Sequence, residues 1–206
     1  MLALRARINR WRRRLAHALL YRTVFGERWA GRLLPHTRIS PSTCIEHEDR
    51  LTLGDHVYIG VFNFIEASAG VTIGEGVQIT HHVSLVTHSS HRAQRLLGRS
   101  YVDWSGERPG WVVAPIEIGA YSFIGPHSLL EAGTRLGIGT IVRAGSVVRG
   151  EHPDFAVLDG RPARVVGDSR DGDRAWLERH PELRAHYEAW AQEAQRARQS
   201  GQHSER

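Results

Sequence analysis

Five histidines in the middle of the chain are, by residue type, the side chains best suited to proton chemistry. An imidazole titrates near pH 6.5 in unperturbed peptides, so at neutral pH it can take a proton from a hydroxyl group and pass it to a leaving group. Help of this kind is worth on the order of 10²–10⁴ in rate. The chain has 13 histidines. The candidates among them are His81, His82, His88, His91 and His127.

The segments that would position these histidines follow a period of six residues. From residue 118 to 148 an aliphatic residue recurs at every sixth position, with a small hydroxyl residue four places after it. An α-helix needs apolar spacings of three and four, and a flat strand needs strict alternation. A period of six rich in glycine predicts instead the hexapeptide repeat of a parallel β-helix, in which each unit is a short strand and a corner. The aliphatic series is Ile118, Ile124, Leu130, Leu136, Val142 and Val148, and the hydroxyl series is Ser122, Ser128, Thr134, Thr140 and Ser146.

The same period begins near residue 38 and is interrupted once. Two slips of two residues predict insertions at corners, after which the register resumes. Residues 88–115 show no sixfold pattern, and a long irregular loop inside a compact repeat is more often functional than idle. In this frame His81 and His82 fall where side chains point outward, and His91 lies in the loop. The early aliphatic series is Ile39, Ile45, Leu51, then Leu53, Ile59, Ile65, Val71, then Ile73, Ile79 and Leu85.

The two ends of the chain differ from the repeat. Residues 1–37 are predicted to be a basic amphipathic helical extension, with Leu4, Ile8, Trp11 and Leu15 at helical spacing among six arginines. That apolar stripe could pack on the body or a neighbouring subunit, or residues 1–20 could lie on an anionic membrane surface; no recognition motif supports nucleic acid. Residues 168–206 are predicted to contain a short turn, a helix from about 182 to 198, and a disordered tail after Ser200.

Composition favours one domain with attachments in a reducing compartment. The chain of 206 residues can bury a sizeable core, and its 21 glycines suit a fold with many corners. A single cysteine, Cys44, excludes an intramolecular disulfide, and we expect it to be small and buried. No apolar run reaches the length of a membrane span, and the basic N-terminus lacks the features of a secretory signal. The expected location is the cytoplasm, with peripheral contact to the inner face of the membrane as an option.

Three segments together resemble a known family. They read IGAYSFIGPHSLLEAGTRLGIGTIVRAGSVV, TIGEGVQITHHVSLVTHSSHR and LDGRPARVVG. In their order and spacing they resemble the hexapeptide-repeat O-acetyltransferases, which include galactoside, maltose, nodulation-factor and polysaccharide acetyltransferases. The resemblance covers about residues 50–167 and implies a mainly β, left-handed parallel β-helix over residues 38–167. It also implies a homotrimer that binds acetyl-CoA in the groove between adjacent subunits, with a carbohydrate as acceptor.

The resemblance also suggests roles for individual residues. His88, in LVTHSSHR, matches the histidine that acts as general base at the start of the protruding loop, and no metal is expected. Asn63 matches an asparagine that touches the acceptor, with a corner-filling amide as the alternative, and His91 could also contact the acceptor. The matches on the cofactor side are Phe123, at a place often held by Trp, the small pair Ala144 and Gly145, and the basic residues Arg149 and Arg164.

Two other functions remain open at this stage. A zinc-dependent γ-type carbonic anhydrase uses the same prism with three intersubunit histidines, which His82, His88 and His127 could supply, although the HG-x-x-IG phrase of that family is missing. A non-catalytic scaffold or membrane-surface protein is the third possibility. The chain also departs from the small sugar acetyltransferases in its Arg-rich N-terminal helix, its longer loop and its C-terminal helix.

Overall fold

The N-terminal residues form a helix and a hairpin that precede the repeat. The computed structural model of the chain describes residues 1–204, apart from the side chains of residues 194 and 197–204. Helix α1 spans Leu2–Ala16 and continues as one π-helical turn, His17–Tyr21. Strands β1 (Glu27–Trp29) and β2 (Arg32–Leu34) then pair antiparallel. The apolar stripe of α1 does not pack on the body of its own chain, because no residue of the helix is buried.

Residues 38–168 wind into a three-faced prism of parallel strands that ends in an antiparallel hairpin. Face 1 contains β3 (Arg38–Ile39), β6 (Tyr58–Ile59), β9 (Gln78–Ile79), β14 (Phe123–Ile124), β17 (Ile141–Val142), β20 (Ala156–Gly160) and β21 (Ala163–Asp168). Face 2 contains β4 (Cys44–Glu46), β7 (Phe64–Glu66), β10 (Ser84–Val86), β15 (Leu129–Leu130) and β18 (Val147–Val148). Face 3 contains β5 (Leu51–Leu53), β8 (Val71–Ile73), β13 (Ile116–Ile118), β16 (Arg135–Leu136) and β19 (Glu151–His152).

The predicted aliphatic series forms the core because the coils stack in register. On face 1, for example, Ile79 pairs with Ile124 and Ile124 pairs with Val142. From Leu51 to Val148 every member of the series is at most 3% exposed. The hydroxyl series is buried beside it, where Ser122 and Thr140 both donate to the carbonyl of Gly137. A six-residue period therefore becomes a column of identical environments, one coil above another.

Three corners join the faces, and we name them by the faces that they connect. The first corner (face 1 to face 2) includes residues 80–83, 125–128 and 143–146; the second (face 2 to face 3) includes residues 131–134; the third (face 3 to face 1) includes residues 119–122. At the first corner Phe62, His82, His127 and Gly145 occupy equivalent places with φ between +56° and +73°. That region is costly for residues other than glycine. The rings of Phe62, His82 and His127 stack at 5.0 and 4.9 Å, one ring per coil.

The segment predicted to be an irregular loop, residues 88–115, has structure of its own. Strand β11 (His88–Ser89) pairs antiparallel with β12 (Val112–Val113), which closes the segment at its base. Helix α2 (His91–Leu97) and a 3-10 turn (Gly98–Tyr101) follow β11. The segment therefore leaves the second corner and returns to it, and it is called the insertion below.

The C-terminal residues add two helices where one was predicted. Helix α3 (Ser169–Arg179) occupies the place expected to be a short turn, and α4 (Arg184–Ser204) follows a 3-10 turn, Pro181–Leu183. Trp190 of α4 packs on Tyr121 and Phe155, so this helix lies along the third corner. Helix α4 continues through Ser204, past the start of the tail predicted to be disordered, and residues 205–206 lie outside the described residues.

The prediction that Cys44 is buried is wrong: it is exposed, because it alternates along β4 with the inward-facing Ile45. Within residues 1–204, no helix combines the length and the apolar character needed to cross a membrane.

A truncation inside the prism tests whether the aliphatic column holds the fold together. Ile124 is 0% exposed and lies between Ile79 and Val142. We expect Ile124→Ala to lower the free energy of unfolding by about 2–5 kcal/mol, since it removes buried contacts and leaves a cavity. The measurement is urea denaturation at fixed protein concentration. Gln78→Ala, on the exposed side of the adjacent strand, should change the same quantity by less than about 0.5 kcal/mol; equal effects would contradict the assignment of the core.

Candidate active site

A buried carboxylate and a half-exposed imidazole meet at the second corner. His88 begins the insertion, and its Nδ1 lies 2.9 Å from Oε2 of Glu66, the last residue of β7 one coil earlier. The Glu66 side chain is 4% exposed and that of His88 is 36% exposed. A carboxylate only accepts, so the contact requires Nδ1–H to donate, which leaves Nε2 as the basic nitrogen. The pair therefore fixes the orientation of the His88 ring and presents Nε2 at the edge of the insertion.

The structure holds Glu66 in its charged form. Its Oε1 accepts from the Ser68 amide at 2.8 Å, and its Oε2 accepts from the amide and hydroxyl of Thr87 at 3.0 and 2.7 Å. Burial raises the pKa of Glu66, but the hydrogen bonds from Ser68, Thr87 and His88 outweigh it and lower the pKa to about 2. A negative charge fixed beside Nδ1 stabilises the imidazolium that forms whenever His88 accepts a proton.

An indole from the far end of the insertion covers His88. The rings of His88 and Trp111 meet edge to face with centroids 6.1 Å apart. The Arg108 guanidinium lies over the rings of Tyr101 and Trp111, at 4.8 and 5.8 Å from their centroids. Trp111 itself is 41% exposed. The imidazole thus opens onto an aromatic and cationic surface, which suits a polar ligand with an apolar face.

The other candidate histidines lie elsewhere. His82 and His127 are exposed and stack on each other at the first corner, and Nδ1 of His81 accepts from the Val61 amide at 3.2 Å. His91 begins α2, and its Nδ1 lies 2.7 Å from the hydroxyl of Ser89, next to His88 in the chain. Of the five candidates, only His88 contacts a buried carboxylate.

The residues predicted to bind the cofactor do not gather around His88 within one chain. Phe123 is on the outer side of face 1 and is 37% exposed. Ala144 and Gly145 are at the first corner. A guanidinium nitrogen of Arg161 lies 2.9 Å from the position that a Cβ on Gly145 would take. Face 2 separates that corner from the second corner, where His88 lies.

The two basic matches occupy different places. Arg149 follows β18, at the second corner, two coils above His88. Arg164 lies in β21 and is exposed, with its guanidinium donating to the carbonyl of Ala163 at 3.0 Å. The predicted cofactor residues therefore divide between two corners and two strands of face 1, β14 and β21.

Asn63 fills a corner. It is 3% exposed, its Nδ2 donates to the carbonyls of Gly60 and Thr80 at 2.9 and 2.7 Å, and its Oδ1 accepts from the Val83 amide at 2.7 Å. Both amide protons are used by the backbone. The geometry favours the corner-filling role over contact with an acceptor.

One group of side chains has the residue types of a metal site. Within residues 1–204, His36, Asp55 and His56 are the three that bring ligand atoms within 4.8 Å of one another. Their rings do not suit one ion, because His36 and His56 stack at 4.3 Å with planes only 7° apart. An imidazole nitrogen binds a metal in the plane of its ring, and parallel planes do not converge. His82, His88 and His127 form no such group within one chain, again in the described part.

Comparison with known proteins finds similar sequences among acetyltransferases. No protein-family model matches the chain. Galactoside O-acetyltransferase of Escherichia coli is 29% identical over 138 residues, which are 66% of this chain and 63% of that protein. The probable acetyltransferase Rv3034c of Mycobacterium tuberculosis is 29% identical over 125 residues, 61% of this chain and 39% of that one. The chain therefore matches less than two thirds of the length of both relatives.

A solved structure shares the fold. The hexapeptide-repeat acetyltransferase VCA0836 of Vibrio cholerae, complexed with acetyl coenzyme A, superposes with a TM-score of 0.53 at 23% identity, over 64% of this chain and 67% of that one. The chain is thus similar in sequence to two acetyltransferases and shares the fold of a hexapeptide-repeat acetyltransferase. The predicted left-handed parallel β-helix is confirmed.

Two residues of the site were missed by the sequence analysis. Glu66 follows Ile65, which the repeat places one coil before Leu85, so its column passes close to His88; an acid beside a core isoleucine was the available signal. Trp111 had no such signal, because the insertion has no period from which to place it.

The charge on Glu66 makes a prediction about acid stability. Its pKa in the folded protein is about 2, below the ordinary value of 4.5, so its contribution is complete above pH 4.5 and is lost as the pH falls towards 2. At pH 6 we expect Glu66→Gln to lower the free energy of unfolding by up to about 3 kcal/mol. This difference from the parent protein should shrink as the pH is lowered. Urea denaturation over the acid range measures both.

The matched control for this experiment is Glu46→Gln. Glu46 occupies the register position of Glu66 one coil earlier but is exposed. Its variant should follow the parent protein at every pH. A constant difference between the parent and Glu66→Gln across the acid range would contradict the depressed pKa.

Proposed function

We propose that this protein is a CoA-dependent O-acyltransferase that moves an acetyl group from acetyl-CoA to a hydroxyl group of a carbohydrate. The observation that carries the proposal is the pairing of His88 Nδ1 with the buried carboxylate of Glu66, which leaves a basic Nε2 at the mouth of the insertion. The names of the two relatives support the reaction, and that of the galactoside O-acetyltransferase supports the class of acceptor.

In the reaction, Nε2 of His88 removes the proton of the acceptor hydroxyl as its oxygen attacks the thioester carbonyl. The carbon–sulfur bond of the thioester then breaks, and the imidazolium returns the proton to the thiolate of CoA, so charge and protons balance. Glu66 is a positioning residue, since it touches neither substrate but fixes the tautomer and stabilises the imidazolium. A thioester is already activated, so no covalent enzyme intermediate is required.

The acyl donor is proposed to bind between two chains of a homotrimer. Within one chain His88 lies at the second corner, whereas Phe123, Ala144 and Gly145 lie on face 1 and at the first corner. A groove in which the second corner of one subunit faces the first corner of the next would bring both sets together. Arg149 and Arg164 would then serve the phosphates of CoA, since a guanidinium pairs well with phosphate oxygens.

The acceptor is proposed to enter over the insertion. The half-exposed Trp111 offers an aromatic surface for the apolar face of a sugar ring, with Arg108 beside it. His91, two residues beyond Ser89, is placed to contact an acceptor hydroxyl. The expected location is the cytoplasm, which supplies acetyl-CoA, with residues 1–20 towards the inner face of the membrane.

Two alternatives make different predictions for the purified protein. A γ-type carbonic anhydrase would contain stoichiometric zinc between subunits, and metal analysis finds or excludes it directly. A scaffold without activity would not bind CoA in calorimetry and would lose nothing on substitution of His88. The Glu66–His88 contact favours the transferase over the scaffold, because it orients Nε2 to accept a proton. Zinc-binding histidines make the same contact to a carboxylate, so metal analysis is the measurement that separates the transferase from the anhydrase.

Substitution of the base tests the reaction. We expect His88→Ala to lower turnover at least about a hundredfold in a thiol-release assay with acetyl-CoA and a panel of sugars, because general base catalysis is lost. The affinity for CoA and the trimer should be retained. His180→Ala, at the end of α3 and remote from the insertion, is the matched control and should keep parent turnover. Undiminished turnover of His88→Ala would remove His88 from the mechanism.

Substitution of the partner tests positioning separately from the base itself. Glu66→Gln should lower kcat about ten- to a hundredfold while the KM for acetyl-CoA changes little, since the amide can hold the ring but supplies no charge. A merely structural role for Glu66 would lower the amount of folded enzyme without lowering kcat per folded molecule.

A further inference from the structure

Helix α1 presents an unpartnered apolar stripe to solvent. The stripe consists of Leu4, Ile8, Trp11 and Leu15, which are 63%, 48%, 63% and 42% exposed. At about 100° per residue these four side chains fall within an arc of about 60°. Exposed side chains of this size normally meet a partner when they are contiguous. The stripe is therefore a surface that something else covers.

Arginines border the stripe on both sides. On the same helical projection Arg5 and Arg12 follow one edge of the stripe, and Arg7 and Arg14 follow the other, each within about 60° of it. Arg10 and Arg13 lie on the remaining arc, and residues 1–26 contain seven arginines and no acid. Long basic side chains beside an apolar face can extend to either side of it while their stems stay in apolar contact. This is the arrangement of a helix that lies in the plane of a lipid interface.

The charges beside the stripe indicate which kind of partner covers it. The body of the same chain does not cover the stripe, since no residue of α1 is buried. A second copy of α1 would bring two sets of arginines together, which costs energy. Nucleic acid would satisfy the arginines but leave the leucines and Trp11 in water. An anionic bilayer satisfies both, because acyl chains accept the stripe and phosphates accept the guanidinium groups.

We propose that α1 docks the protein on an anionic lipid surface, with the stripe buried at the boundary between headgroups and acyl chains. The flanking arginines pair with lipid phosphates. The helix cannot lie far from the prism, because Tyr21, at the end of its π-helical turn, packs on Phe62 with ring centroids 5.3 Å apart. Phe62 begins the ring stack of the first corner, so docking through α1 holds that corner close to the membrane.

Docking of this kind restricts which carbohydrates the enzyme meets as acceptors. This inference rests on the proposed function. A transferase held at the membrane by its first corner meets carbohydrate acceptors that are themselves attached to lipid at a higher local concentration than free sugars. The proposal on lipid binding does not depend on activity, because vesicle binding is measured without acetyl-CoA. The two can therefore fail separately.

The test is flotation of the full chain with lipid vesicles. We expect binding to vesicles of phosphatidylcholine that contain phosphatidylglycerol, and little binding to vesicles of phosphatidylcholine alone. About 1 M salt, which shortens the screening length to about 3 Å, should weaken the binding strongly. Equal binding to both kinds of vesicle, or binding to neither, would overturn the proposal; the second result would assign the stripe to a neighbouring subunit.

Paired substitutions separate the stripe from the charges. Leu4→Ser with Trp11→Ser should lower the partition coefficient at least about tenfold, and Arg5→Gln with Arg12→Gln should lower it by about fivefold for each arginine removed. The controls are Val165→Ser with Trp176→Ser, which are 52% and 58% exposed on β21 and α3, and Arg174→Gln with Arg179→Gln on α3. Each pair of substitutions in α1 must weaken vesicle binding more than its control pair does. Equal losses of binding would overturn the role of α1.

Discussion

In-register stacking of successive coils is the constraint on which the rest of this structure depends. Parallel strands pair residue for residue, as Ile65 does with Leu85 and Leu85 with Leu130, so each position of the repeat becomes a column. A column repeats the same surroundings about every 4.8 Å. One column must then consist of aliphatic residues, and another of small residues whose hydroxyl groups can donate to a corner carbonyl. A third column must consist of residues that tolerate a positive φ. Once those demands are met, the outer positions are free to carry chemistry.

This constraint explains why the fold could be predicted in detail while the site could be predicted only in part. The aliphatic column keeps its period of six along the repeat. The two-residue slips in that period were correctly interpreted as insertions at corners. The positive-φ column of the first corner was harder to predict, because Phe62, His82 and His127 hold places where glycine would be expected. Stacking between their rings, as between His82 and His127, offsets part of the backbone cost, and no single corner reveals that compensation. Helix α3 and the short elements of the insertion were missed for a related reason, since they lie where the period is absent.

The candidate site shows the same division. His88 was accessible to sequence reasoning because it closes a repeat unit in a recognisable phrase. Glu66 belongs to an outer column, where almost any residue is compatible with the coil, so its role appears only when the coils are stacked. Asn63 illustrates the opposite case, because its amide is used by three backbone groups of the first corner and has a structural reason to be there. Residue type alone could not separate these two buried polar side chains; the direction of their hydrogen bonds does.

A buried carboxylate is costly unless its lone pairs are matched, and here the coil itself matches them. Three of the four hydrogen bonds that Glu66 accepts come from Ser68 and Thr87, groups held by the second corner whether or not His88 carries a proton. The negative charge is therefore present before any proton moves, and it need not reorganise when the imidazolium forms. Preorganised charge of this kind is the usual source of electrostatic stabilisation in enzymes. The repeat thus does more than support a histidine. Its corner holds the negative charge of Glu66 beside Nδ1 of His88, and this contact orients Nε2 as the nitrogen that accepts a proton.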